Sequence, residues 1–141
     1  MSTEEYTRSE ASLPAGEYWV GDPCYAFEDH ELWLALIDSA YEREPNPRIL
    51  EADARGAEFI ASGTYFGDGT YPGSDGKSYP VDAGLIGIVP VGAPGVSRNP
   101  FGMQKVTFEK PVWVEYDGGT ITVGGVGEEI KIETNDDKEE E

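Results

Sequence analysis

Apolar positions recur with a helical period in one stretch of this chain and with a strand period in most of the rest. From Asp29 to Glu44, Leu32, Trp33, Leu36, Ile37, Ala40 and Tyr41 fall at spacings of one, three and four, which draws a single apolar stripe along a helix. Asp29 is a suitable N-cap, and Pro45 and Pro47 forbid continuation. His30 and Glu31 then lie in the first turn, on or beside the solvent face.

Elsewhere the pattern is β. Glu17 to Val20 predicts a short strand ending in the turn Gly21-Asp22-Pro23, and Glu58 to Phe66 predicts a second. Val81 to Val91 (VDAGLIGIVPV) mixes β-branched residues with glycine and reads as one buried, kinked strand. Gln104 to Glu109 alternates, as does Val112 to Tyr116. Asp117-Gly118-Gly119 marks a hairpin into Thr120 to Val123, and the GGVG turn at 124–127 leads to Ile130 and Ile132. The expected fold is α+β: a mostly antiparallel, curved or barrel-like sheet with one main amphipathic helix, the last 30 residues of it a meander.

Both ends are polar. Residues 1–13 are expected as a flexible segment, 14–133 as a single domain, and 134–141 (TNDDKEEE) as a disordered acidic tail. At 141 residues the chain suits one domain, with 16 aromatic residues to fill its core. The first ten residues, MSTEEYTRSE, have neither the basic region nor the apolar run of a secretory signal. Cys24 is the lone cysteine, so no internal disulfide forms. The expectation is a soluble, cytoplasmic protein.

Charge narrows the partners. Acids outnumber bases 28 to 10, and the formal net charge is -18. Such a field repels phosphate backbones and anionic bilayers, so nucleic acid and membrane are not expected partners. A basic protein is.

The residues between Ser62 and Gly87 (SGTYFGDGTYPGSDGKSYPVDAGLIG) are dense in glycine, aromatics and aspartate. Gly76-Lys77-Ser78 is not a phosphate-binding loop, because Tyr71 stands where its first glycine belongs and Tyr79-Pro80 does not start a helix. Asp68 is followed at alternate positions by Thr70 and Pro72, which fails the EF-hand pattern. An irregular calcium site built from Asp68, Asp75 or Asp82 with carbonyl oxygens stays open; tight turns made by Asp and Gly are the simpler reading. No cofactor is expected, and no metal is assigned.

Asp22 sits where a strand ends and a helix approaches, a place from which carboxylates often point into a cleft. Cys24 and His30, six residues apart, do not define a catalytic pair. Asp22 capping a turn and Cys24 buried as a small hydrophobe is the favoured alternative. Asp22 and Asp82 are a candidate acid–base pair for hydrolysis if their environments separate their acidities.

GDPCY (21–25), the Trp33 helix, FGDGTYPG (66–73) and VDAGLIGIVP (81–90) together resemble small proteins of unknown function from bacteria and their phages. The resemblance covers about residues 16–91. It implies a shared fold and a shared cleft around Asp22, Pro23, Asp68, Gly69, Tyr71, Asp82 and Gly84, and it confers no activity. The expected function is a non-catalytic accessory binding protein, of the inhibitor or immunity type that phages and mobile elements encode, engaging a basic partner through an acidic, aromatic surface. The alternative is a small-ligand or cation-binding protein whose cleft uses Asp22, Cys24, Asp68, Tyr71 and Asp82.

Overall fold

The computed structural model describes residues 6–45 and 47–134. Among these residues, eleven strands and one α-helix form a helix layer, two stacked sheets and a separate two-stranded ribbon. In chain order they are β1 (Tyr6–Arg8), β2 (Gly16–Gly21), a short 3-10 turn (Pro23–Tyr25), α1 (His30–Arg43), β3 (Ile49–Ala54), β4 (Ala57–Gly63), β5 (Gly69–Pro72), β6 (Ser78–Val81), β7 (Leu85–Pro90), β8 (Gln104–Phe108), β9 (Trp113–Asp117), β10 (Thr120–Gly124) and β11 (Ile130–Glu133).

A five-stranded antiparallel sheet, ordered β3-β4-β7-β2-β8, is the middle layer, and a four-stranded sheet, β1-β9-β10-β11, covers one face. The α+β, mostly antiparallel architecture is as the pattern predicts. Neither sheet closes into a barrel; two open sheets stack instead, because both faces of the middle sheet are apolar and each needs a cover.

Strand parity sets the two cores. Tyr18, Val20, Ile60, Ile86 and Ile88 point toward the four-stranded sheet and meet Val114, Tyr116, Ile121, Val123 and Ile132. Their neighbours Trp19, Phe59, Ala61 and Val89 point the other way and meet Leu32, Leu36 and Ala40 of α1. The helix is capped as its sequence predicts: Asp29 Oδ1 accepts from the N–H groups of Glu31 (3.0 Å) and Leu32 (3.3 Å).

Three expectations are corrected. Val81 to Val91 is not one kinked strand. It divides into β6 and β7 at Asp82-Ala83-Gly84, where Gly84 takes φ +77 and the strand turns over. The Glu58–Phe66 strand ends at Gly63, because the Thr64 hydroxyl closes a turn by accepting from Gly67 N–H (2.7 Å) and donating to Gly67 O (2.6 Å). Gln104–Phe108 leaves the meander and pairs with β2 in the middle sheet. Within the N-terminal segment expected to be flexible, residues 6–8 pair with β9 and Leu13 is buried against Val112. The tail beyond Thr134 and residues 1–5 lie outside the described residues. Among those described, no helix is long and apolar enough to cross a membrane.

Candidate functional site

The turn at residues 82–84 is where the sequence-predicted site residues gather, and Asp22 is the reason it holds its shape. Asp22 is fully buried at 0% exposure. Its Oδ1 accepts from Cys24 N–H (3.0 Å), which caps the 3-10 turn that Pro23 begins. Its Oδ2 accepts from the N–H groups of Asp82 and Ala83, each at 2.7 Å. A buried carboxylate with three charge-assisted N–H partners is compensated for the loss of water, and it ties β2 to the β6–β7 turn. The contact between Asp22 and Asp82 therefore runs through the Asp82 amide, and the Asp82 carboxylate is exposed.

Cys24 is half-buried beside this brace. Burial foremost, and then the negative charges of Asp22 and Asp82, push its thiol up to about 12, against a smaller lowering by the Ala83 N–H. The thiol stays protonated at neutral pH, which removes the nucleophile. The same causes, burial first and then Asp82, raise the Tyr25 phenol above its ordinary value.

Asp68 arrives from the other side. Gly69 pairs with Val81 across the β5–β6 ribbon, so Asp68 and Asp82 leave the same end of it. Thr64 N–H donates to Gly84 O (2.9 Å), which packs the Thr64–Gly67 turn against the Asp82–Gly84 turn. The Asp68 side chain is exposed. Tyr71 is core: it is buried, and its hydroxyl donates to Gly67 O (3.0 Å) and supports the same loop from below. Asp75, the other acid of this stretch, accepts from Tyr79 O–H and Lys77 N–H within its own hairpin. Among the described residues no group of three or more His, Cys, Asp or Glu side chains is placed to share a metal ion.

Sequence reasoning missed what flanks the turn. Phe101 is 69% exposed and meets Tyr25 edge-to-face, with ring centroids 5.2 Å apart. The adjacent Gly102, at φ +73, lies so close to Pro80 that a Cβ would stand 2.4 Å from its ring, which seats the Phe101 loop on β6. In the Thr64–Gly67 turn that packs on Gly84, Tyr65 (57%) and Phe66 (49%) form a second edge-to-face pair, centroids 4.8 Å apart. An aromatic isolated among turn-formers, as in SRNPFGM, was the only signal for Phe101. No family model, no curated protein and no solved structure matches the chain.

Proposed function

We propose that this protein is a non-catalytic binding protein of the inhibitor or immunity type, which engages a basic macromolecular partner through the acidic, aromatic surface around the Asp82–Gly84 turn. The observation that carries this reading is the exposure of Tyr65, Phe66 and Phe101 in the loops seated on Gly84 and Pro80, together with the exposed carboxylates of Asp68 and Asp82. Large aromatic side chains left in water beside carboxylates match the composition of protein-contact surfaces. The segments 64–69 and 80–84 contain no lysine or arginine. The engagement of Asp22 with three amides and the protonated state of Cys24 favour binding over turnover, because neither group is left to act as base or nucleophile.

Affinity capture with the full chain tests it, run beside Phe101→Ser and the double substitution Phe66→Ser with Asp82→Asn. The expected result is a basic protein retained by the wild type and lost from both variants. Retention of the same protein by both variants would overturn the assignment of this surface.

A further inference from the structure

A groove of about 790 Å³ is lined by residues of β1, of β3 and of the last turn of α1, with Gly63 at the end of β4. Both strands are sheet edges: β1 pairs only with β9, and β3 only with β4. Strand parity says which main-chain groups face the groove. Ser9 N–H donates to Val114 O (2.9 Å), so Thr7 and Ser9 turn their main-chain groups to β9 and Arg8 turns its own away. Gly63 N–H donates to Arg48 O (3.0 Å), so Arg48, Leu50 and Ala52 face β4 while Ile49, Glu51 and Asp53 face outward.

Some outward groups are taken. Asp53 N–H donates to Ser39 Oγ of α1 (2.9 Å), and Glu10 N–H donates to Glu51 Oε2 across the groove (2.6 Å). The outward main-chain groups of Arg8, Ile49 and Glu51 have no hydrogen-bond partner among the described residues. These are the residues that line the groove.

The charge of the lining departs from that of the chain. Three of the five arginines, Arg8, Arg43 and Arg48, line this groove in a chain with 28 acids. The Arg8 guanidinium lies 4.1 Å over the Trp113 ring; that of Arg48 lies 4.1 Å over the Tyr116 ring and also donates to Gly63 O (3.4 Å), which holds both planes in place. Of the lining acids, Glu51 is occupied by the amides of Glu10 and Ala11 and by Arg43 at 3.9 Å; Glu10 and Glu44 are exposed.

We infer that this groove binds an extended peptide segment carrying acidic side chains, which adds as a strand to the open edges of β1 and β3. Main-chain bonds to Arg8, Ile49 and Glu51 supply the pairing, and the guanidinium of Arg43, with those of Arg48 and Arg8 on their rings, supplies the preference for carboxylates. At physiological salt the screening length is about 8 Å, so the local field is set by the lining, three arginines and three glutamates, more than by the distant acids of the rest of the surface. The site is independent of the Asp82 surface, and neither reading depends on the other.

Fluorescence anisotropy with the full chain and labelled, end-capped hexapeptides tests the inference. The probes are (Glu-Val)3, the same peptide N-methylated at every amide, and (Lys-Val)3. Saturable binding of the first is expected, weakened about tenfold or more by N-methylation and by Arg43→Glu. Arg8→Pro, which removes the outward N–H together with the guanidinium, is expected to weaken it at least as much, and more than Arg8→Ala, which removes the guanidinium alone. Absence of saturable binding, equal affinity for the N-methylated or lysine peptide, or an Arg8→Pro variant that binds as wild type would each overturn it.

Discussion

Two carboxylates in this molecule perform the same task in different surroundings. Asp22 accepts from the amides of Cys24, Asp82 and Ala83 in a fully buried junction, and Glu51 accepts from the amides of Glu10 and Ala11 at the rim of an open groove. The first junction is filled: the Phe101 loop seats on Pro80 and the Thr64 turn seats on Gly84. The second leaves two strand edges with main-chain groups unpaired among the described residues. The comparison teaches that part of the acidity of this chain is structural. Glu128, which accepts from the amides of Glu109 and Lys110, and Asp29 at the helix cap belong to the same group. An acid used in this way fixes a loop, and the loop then decides what the surface presents.

The comparison breaks first at Asp22. Asp22→Ala leaves three N–H groups without their acceptor around a fully buried position, and the expected cost is about 3 kcal/mol. Urea denaturation should show a lower midpoint at an unchanged slope. A loss below about 1 kcal/mol would mean that the junction does not hold the turn.

Cys24 reads the same junction chemically. With its thiol pushed up to about 12, its alkylation by iodoacetamide at pH 8 should run roughly 10²–10³-fold slower than that of a free thiol. The sign for stability follows from the same shift. The unfolded thiol ionises near 9 and the folded one near 12, so the unfolded state holds fewer protons between those values. The contribution of this group is constant below pH 9 and falls as the pH rises through that window. Denaturation midpoints of wild type and Cys24→Ser between pH 8 and 11 should therefore diverge in slope.

Glu51 is partly open to solvent, so Glu51→Ala is expected to cost only about 1 kcal/mol, with the loss confined to β1. Hydrogen exchange at the Glu10 and Ala11 amides should rise, while the β9–β10 amides stay protected. Smallest of all is Asp82→Asn. Its amide does the bonding and its side chain is exposed, so stability should stay within about 0.5 kcal/mol of wild type. A large loss there would make the two aspartates partners after all.

Much of the architecture was legible because periodicity reports burial. The α1 stripe, the Gly118-Gly119 hairpin and the β9–β11 meander all follow from side chains that must face one way. β3 (ILEADA) was not legible. Alanine and acids are weak strand formers, and Leu50 and Ala52 are strand residues because α1 covers them. The break inside VDAGLIG was hidden for the opposite reason: Val81 ends β6 buried and β7 is buried from Leu85 to Val89, so the apolar residues on either side of the turn read as one run. At the site, the pattern marked Asp22, Asp68 and Asp82 but not which carboxylate turns inward. That depends on amides 60 residues away in the chain. The groove was not legible at all, since Arg8, Arg43 and Arg48 are separated in sequence and meet only through the stacking of the sheets.

Under the proposed function, Asp22 shapes a surface whose exposed acids and aromatics engage a basic partner. The most direct test is the association rate constant with the captured basic partner at low and high salt, for wild type and for Asp68→Asn with Asp82→Asn. The wild-type rate is expected to fall steeply as salt rises, and the variant to be slower at low salt and to converge with wild type at high salt. Equal rates for the two proteins at every salt concentration would contradict it.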